Sequence, residues 1–348
     1  MNSYTSSVIR HGACLLAITV ALLTAPFTQA CSVPVFRYAL DRWPADAFHL
    51  DAPAAVLREE PIAGDLRGDG GVRLNIEALP RTDATASREA RLTFPVESGE
   101  AAELWKGELN AAAYRTLVDS PARSEIARRV LAGESAVWVL VESGDRDADA
   151  ALAGLLSERI TFIERTAQLP VIRPDDPSSQ IGPGPKLGIK FSLLRVARSD
   201  EREHTLIALL AGPNGLFAFP PAKPFAALVF GRGRVLGAWT QEKLTAELAD
   251  GAGKFLLSAC SCEAKRMNPG WDLLLRVNWD SELEKIAQAR AAAGEIPNTQ
   301  PARVLPETVT IQPAQIPPPP THRVRTILLL AAVALLAAWL LFSARKSA

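Results

Sequence analysis

The chain runs to 348 residues with 38 basic and 38 acidic side chains, so its formal net charge is zero. A neutral chain without a Lys/Arg stripe offers no long-range attraction to polyanions, which argues against nucleic acid as a partner. With both terminal segments set aside, the remainder suits two ordinary domains of ~100–150 residues.

The first 30 residues read as an export signal. Arg10 is the lone positive charge, an apolar stretch covers 13–23, and Thr28-Gln29-Ala30 places small residues for cleavage before Cys31. Acylation of Cys31 as a lipoprotein is the alternative, but Thr28 stands where an aliphatic residue is usual. Of the four cysteines, Cys14 leaves with the signal. The mature chain then holds Cys31, Cys260 and Cys262, an odd number in a compartment that permits disulfides.

The segment 32–43 predicts a helix capped by Ser32, with Pro34 in its first turn and Phe36, Leu40 and Trp43 on one face. Strands are predicted at 54–58 and 72–78, around a glycine-rich loop containing Arg67-Gly68-Asp69, and a third at 90–97. In that setting the triplet reads as a turn rather than an adhesion signal. Ser120-Pro121 opens a helix that Gly133 closes. The run 136–141 is continuously apolar and β-branched, as in a strand buried on both faces. Asp147 or Asp149 would start the next helix, with Leu152, Leu156, Ile160 and Ile163 recurring every four residues.

From 170 to 188, five prolines and three glycines mark the expected boundary between domains. The second half predicts a strand at 190–196, a helix at 201–210, and a buried strand at 225–230. A Gly231-Arg232-Gly233 turn leads to a partner strand at 234–239. A helix at 241–249 capped by Thr240, a strand near 272–277 and a helix at 281–293 complete the body. Residues 297–325 form a proline-rich stalk, and a polyproline conformation extends about 3.1 Å per residue. The charge-free stretch 326–344, flanked by Arg323, Arg325, Arg345 and Lys346, is long enough to cross a bilayer as one helix. The expectation is a single-pass protein of the cell membrane: signal 1–30, first α/β domain 31–169, linker 170–188, second α/β domain 189–296, stalk 297–325, span 326–344 and cytoplasmic tail 345–348.

The unit of Pro224, buried strand, Gly-Arg-Gly turn, partner strand and closing helix resembles the second half of a thioredoxin-like domain, in which a cis-proline precedes such a hairpin. The earlier helix ending at Gly133, the strand 136–141, the Ser143-Gly144-Asp145 turn and the next helix make a looser version. The resemblance implies an α/β fold of two tandem thioredoxin-like domains with mixed sheets. No Cys-x-x-Cys occurs, so it carries no redox activity. The pattern Cys-Ser-Val-Pro-Val-Phe-Arg-Tyr-Ala-Leu, with a later Cys-Ser-Cys and Asn268-Pro269-Gly270, resembles an uncharacterised family of exported bacterial proteins, which implies no function.

Cys31 precedes a predicted helix start, where the dipole favours a thiolate. It could attack disulfides, join Cys260 and Cys262 as soft metal ligands, or staple the N-terminus to one of them as a structural disulfide, the reading preferred for an exported chain. His49, His204 and His322 lack ligand spacing. Asp145, Asp147 and Asp149 read as helix capping rather than calcium binding. Trp43, Trp105, Trp138, Trp239 and Trp271 read as core. No cofactor or metal is expected. The leading function is a non-catalytic binding or envelope-assembly module with a protein partner; the alternative is a thiol–disulfide or soft-metal factor using Cys31 with Cys260 and Cys262.

Overall fold

The apolar run read as a doubly buried strand divides two hydrophobic cores. In a computed structural model that describes residues 32–82, 87–95, 102–173, 176–215, 218–260 and 264–295, β5 (Ala136–Glu142) lies between β6 (Phe191–Ala197) and β7 (Phe225–Phe230). It pairs parallel with β6 and antiparallel with β7. β8 (Arg234–Thr240) and the two-residue β9 (Trp271–Asp272) complete a five-stranded mixed sheet in the order β6-β5-β7-β8-β9. Alternation sends Val137, Val139 and Val141 into one hydrophobic core and Ala136, Trp138 and Leu140 into the other.

The second core is closed by α1 (Val35–Arg42), α5 (Arg146–Thr166) and α7 (Ala246–Leu257). The first is closed by α3 (Ala111–Val118), α4 (Pro121–Leu131), α6 (His204–Ala211) and a four-stranded sheet. That sheet has the order β2-β1-β3-β4, from β1 (Phe48–Pro53), β2 (Ile76–Arg81), β3 (Glu89–Thr93) and β4 (Glu103–Glu108). Its inner face carries Phe48, Leu50, Ala90 and Leu92. Its outer face is laced by ion pairs: Arg81–Asp51 at 2.9 Å, Arg91–Glu103 at 3.0 Å and Lys106–Glu89 at 3.0 Å. Such pairs add little stability but keep a sheet face wet. The short α2 (Ile62–Arg67) follows β1, and α8 (Trp279–Ala292) ends the described body.

The fold is therefore α/β with two mixed sheets. Strands from both sides of 170–188 share one sheet, so the expected linker does not part the two sheets. Residues 32–295 belong to one unit, Met1–Arg303. The signal 1–30, stalk 297–325, span 326–344 and tail 345–348 lie outside the described residues, among which no helix is long and apolar enough to cross a membrane.

Several local expectations shift. Residues 54–58 form a turn and a 3-10 helix (Val56–Arg58), because the strand comes earlier and Pro53 ends it. Ser120 caps α4 by accepting the Arg123 N–H, and Gly133 at φ 95° lets the chain leave the helix as only glycine readily can. Asp145, two residues ahead of Asp147 and four ahead of Asp149, caps α5 by accepting the N–H groups of Asp147 and Ala148. Thr240 does not cap α7. It ends β8, its carbonyl accepting the Lys243 and Leu244 N–H groups at 3.0 Å each, and Thr245 is the cap. Of the expected 272–277 strand, Asp272 belongs to the two-residue β9 and Arg276 makes an isolated bridge to Leu74. Asn278 caps α8.

Candidate functional site

The cysteine-bearing segments meet. After α7 the chain turns out through Ser258, and Pro34 bridges Ala259 in an antiparallel sense. The Cys260 N–H donates to the Val33 carbonyl at 2.9 Å, and the Val35 N–H donates to Ser258 at 3.0 Å. Cys260 is 1% exposed and packs in the second core. Cys31 and Cys262 lie outside the described residues.

The pairing changes the local chemistry. Residues 32–34 do not begin the helix; α1 starts at Val35, with Pro34 before it and no side-chain cap. Ser32 instead donates its hydroxyl to Ser179 Oγ at 2.7 Å and accepts the Arg173 N–H at 3.1 Å. The Ser179 hydroxyl in turn donates to Asp176 at 2.8 Å. The helix therefore begins four residues after Cys31 in sequence, rather than at Ser32.

The other residues of the two sequence patterns are braces. Arg37, 1% exposed, donates to the carbonyls of Pro185 at 2.6 Å, Gly182 at 2.7 Å and Pro183 at 3.1 Å, and pairs with Asp41 at 3.0 Å. Burial pushes the Asp41 carboxyl above its ordinary value, and Arg37 pulls it back down. Arg234 binds the loop Asn268-Pro269-Gly270 the same way, donating to those three carbonyls at 3.0, 3.2 and 2.9 Å. Glycine is required at Gly270: φ is 108°, and a Cβ would sit 2.0 Å from the Val235 carbonyl oxygen. Five guanidinium donors suit this gathering of carbonyls, and an Arg so engaged is buried without an orphaned group.

Beside Arg234 lies the densest charge cluster. Asp272 accepts from Arg234 at 3.2 Å, from the Asp46 N–H at 2.6 Å and from Lys265. Lys265 also reaches Asp46 at 2.8 Å and the Pro44 carbonyl at 2.6 Å. Burial pushes the Asp272 carboxyl up, Lys265 opposes the rise and Asp46 adds to it. The adjoining void is only about 10 Å³, too small for an organic substrate. The cluster joins three chain segments. Sequence reasoning missed it because Asp46 and Arg234 are remote in sequence from Lys265 and Asp272 and each reads as surface.

The remaining expectations fall as follows. Arg67 folds back on Asp69 at 2.6 Å and Glu60 at 2.8 Å, consistent with a turn. Arg232 of the Gly-Arg-Gly hairpin donates to the Leu40 carbonyl at 2.8 Å and pairs with Asp280 at 2.8 Å. Asp149 accepts the Ser143 and Gly144 N–H groups at 2.8 and 3.0 Å, so it serves the turn while Asp145 caps the helix. His49 faces Glu77 at 3.6 Å and His204 begins α6, while His322 lies outside the described residues. Among the described residues no three His, Cys, Asp or Glu side chains converge as a metal site. Trp138 and Trp239 pack at 5.8 Å, and the Trp271 indole donates to the Leu209 carbonyl at 2.8 Å.

Among the described residues, two depressions approach the size of a small-ligand site. A cleft of about 290 Å³ lies among Arg73, Asn75, Arg232 and the start of α8. A groove of about 340 Å³ follows β8 from Leu236 to Thr240, facing Ala211, Phe219 and Trp271. No family model, curated protein or solved structure matches the chain.

Proposed function

We propose that this chain is a membrane-tethered extracytoplasmic module that binds a protein of the cell envelope and catalyses no reaction. The observation that supports it most is the use made of the marked polar residues: Arg37, Arg234 and Asn268-Pro269-Gly270 are spent on holding loops together. The signal 1–30, the stalk 297–325 and the span 326–344 supply export, spacing and tether in this reading.

The body we assign to one thioredoxin-like unit rather than a tandem pair. In its support, β5 and β6 run parallel, β7 and β8 antiparallel, and α7 closes the arrangement. The Lys223–Pro224 bond is trans, a departure from that fold, since among the described residues the cis bond is Glu60–Pro61.

A second reading, thiol or soft-metal chemistry at Cys31 with Cys260 and Cys262, draws on the pairing of Val33 with Cys260. The same pairing favours a structural disulfide from Cys31 to Cys260 or Cys262, and we prefer that use. The test is fractionation and cross-linking in an exporting bacterium. The full chain should sediment with membranes, chains lacking 326–348 should be released, and a cross-linker should give a discrete protein adduct. A full chain soluble in cytosol with 1–30 uncut removes the reading; a reactive thiol that turns over disulfides selects the second.

A further inference from the structure

The open edge of β8 differs from every other strand edge described. β9 covers β8 only at Arg234 and Val235, and among the described residues no strand pairs with it from Leu236 to Thr240. The β7 register shows which backbone groups are left over. The Gln241 N–H donates to the Pro224 carbonyl, so Trp239 is bonded across to Ala226 while Ala238 and Thr240 turn their N–H groups away from β7.

Exposed edges are usually blunted by charge or proline. β2 carries Glu77, Pro80 and Arg81; β4 carries Glu103, Lys106 and Glu108; β6 carries Arg195. The open stretch of β8, Leu236-Gly237-Ala238-Trp239-Thr240, carries neither. The 340 Å³ groove runs along this stretch, walled by Trp271, Phe219 and Ala211. Thr240 lines it, is 6% exposed, and its buried hydroxyl has no hydrogen-bond partner. Lys243, at the Thr240 end, is the one charged side chain lining the groove among the described residues.

We propose that this groove takes an extended segment of a partner protein by strand addition: an apolar stretch pairing with both main-chain groups of Ala238 and with the Thr240 N–H, and placing an acidic side chain at Lys243. Unpaired main-chain groups supply the hydrogen bonds, the aromatic walls take alternate apolar side chains, and the lone cation fixes the direction of the strand. This rests on the binding-module reading and names the kind of partner that module holds.

The probe is a fluorescent peptide alternating valine with threonine and ending in aspartate, titrated by fluorescence polarisation against the full chain in mild detergent. Saturable binding is expected. N-methylating the alternate residues that face β8 should weaken it roughly tenfold or more, whereas methylating the other set should not. Ala238→Pro, checked for folding by its melt, should abolish it, and Lys243→Glu should reverse the preference between aspartate-ended and lysine-ended peptides. Absent binding, or binding indifferent to both N-methylation and Ala238→Pro, overturns the proposal. So does loss of a dimer on Ala238→Pro, which would make a second copy the occupant. Membrane cross-links that survive Ala238→Pro overturn it while leaving the binding module standing; peptide binding without any membrane adduct does the reverse.

Discussion

Replacing Asp272 by alanine tests whether the buried charge cluster is a brace. The Asp272 side chain is 2% exposed and faces Arg234, which is 3% exposed, so truncation leaves a guanidinium charge in the interior. Removing one member of a buried pair costs about 3–5 kcal/mol. Three features place this case at the lower end. Arg234 keeps its bonds to the carbonyls of Asn268, Pro269 and Gly270. Lys265 and Asp46 are partly exposed and can recover water. Asp46 already stands 3.9 Å from Arg234 and can move closer. Against this, the Asp46 N–H loses its acceptor. A loss of about 3 kcal/mol corresponds to a fall in Tm of roughly 6–12 °C for a unit of this size. Thermal and urea unfolding of the protein would measure it, and pairing the change with Lys265→Met should give less than additive losses because the two share a contact. A melting point within about 2 °C of the parent would refute the brace, since an unpaired buried guanidinium cannot be that cheap.

Gly270→Ala should be at least as damaging, by about 3 kcal/mol or more, because the new methyl meets the Val235 carbonyl at 2.0 Å in a left-handed backbone. Urea midpoints decide it, and an unchanged midpoint would mean the loop does not approach β8 this closely. Glu125 should titrate far below an ordinary carboxylate, at about 2, held down by Arg128 first and Arg129 second. Its folded value is depressed, so its contribution is present above the ordinary 4.5 and is lost as pH falls toward about 2, a modest share because the site is open to solvent. Carbon-detected NMR titration reads this directly; Arg128→Gln with Arg129→Gln should return the midpoint toward 4.5, and a parent midpoint already there would refute the pairing.

Local signals were legible where one segment decides the outcome. The runs that became β5 and β7 announced burial on both faces, and Ser120-Pro121 with Gly133 marked both ends of α4. β1 does carry a strand's alternation, Phe48, Leu50 and Ala52 against His49 and Asp51, but the run is short and ends in Pro53, and its pairing with β2 and β3 is what bears it out. Thr240 and Thr245 are equally good caps in isolation, and the reach of β8 chooses between them. The site was less legible still. An arginine in a sequence reads as surface, yet Arg37, Arg123 and Arg234 are among the most buried side chains, each spending its donors on carbonyls of other segments.

That use of arginine also explains why a proline- and glycine-rich stretch misled as a spacer. Composition reports that 170–188 cannot continue a helix or a strand; it does not report what the freed carbonyls meet. Here Arg37 takes the carbonyls of Gly182, Pro183 and Pro185, Arg290 takes that of Gly184 at 2.7 Å, and the Gly182 N–H donates to Asp41 at 2.8 Å. The extended backbone that prolines impose keeps those carbonyls unpaired within their own segment, and so available to a buried guanidinium. A flexible hinge would leave them to water. The same residues that mark a linker in sequence therefore make a strap in the fold, binding α1 to the end of α8.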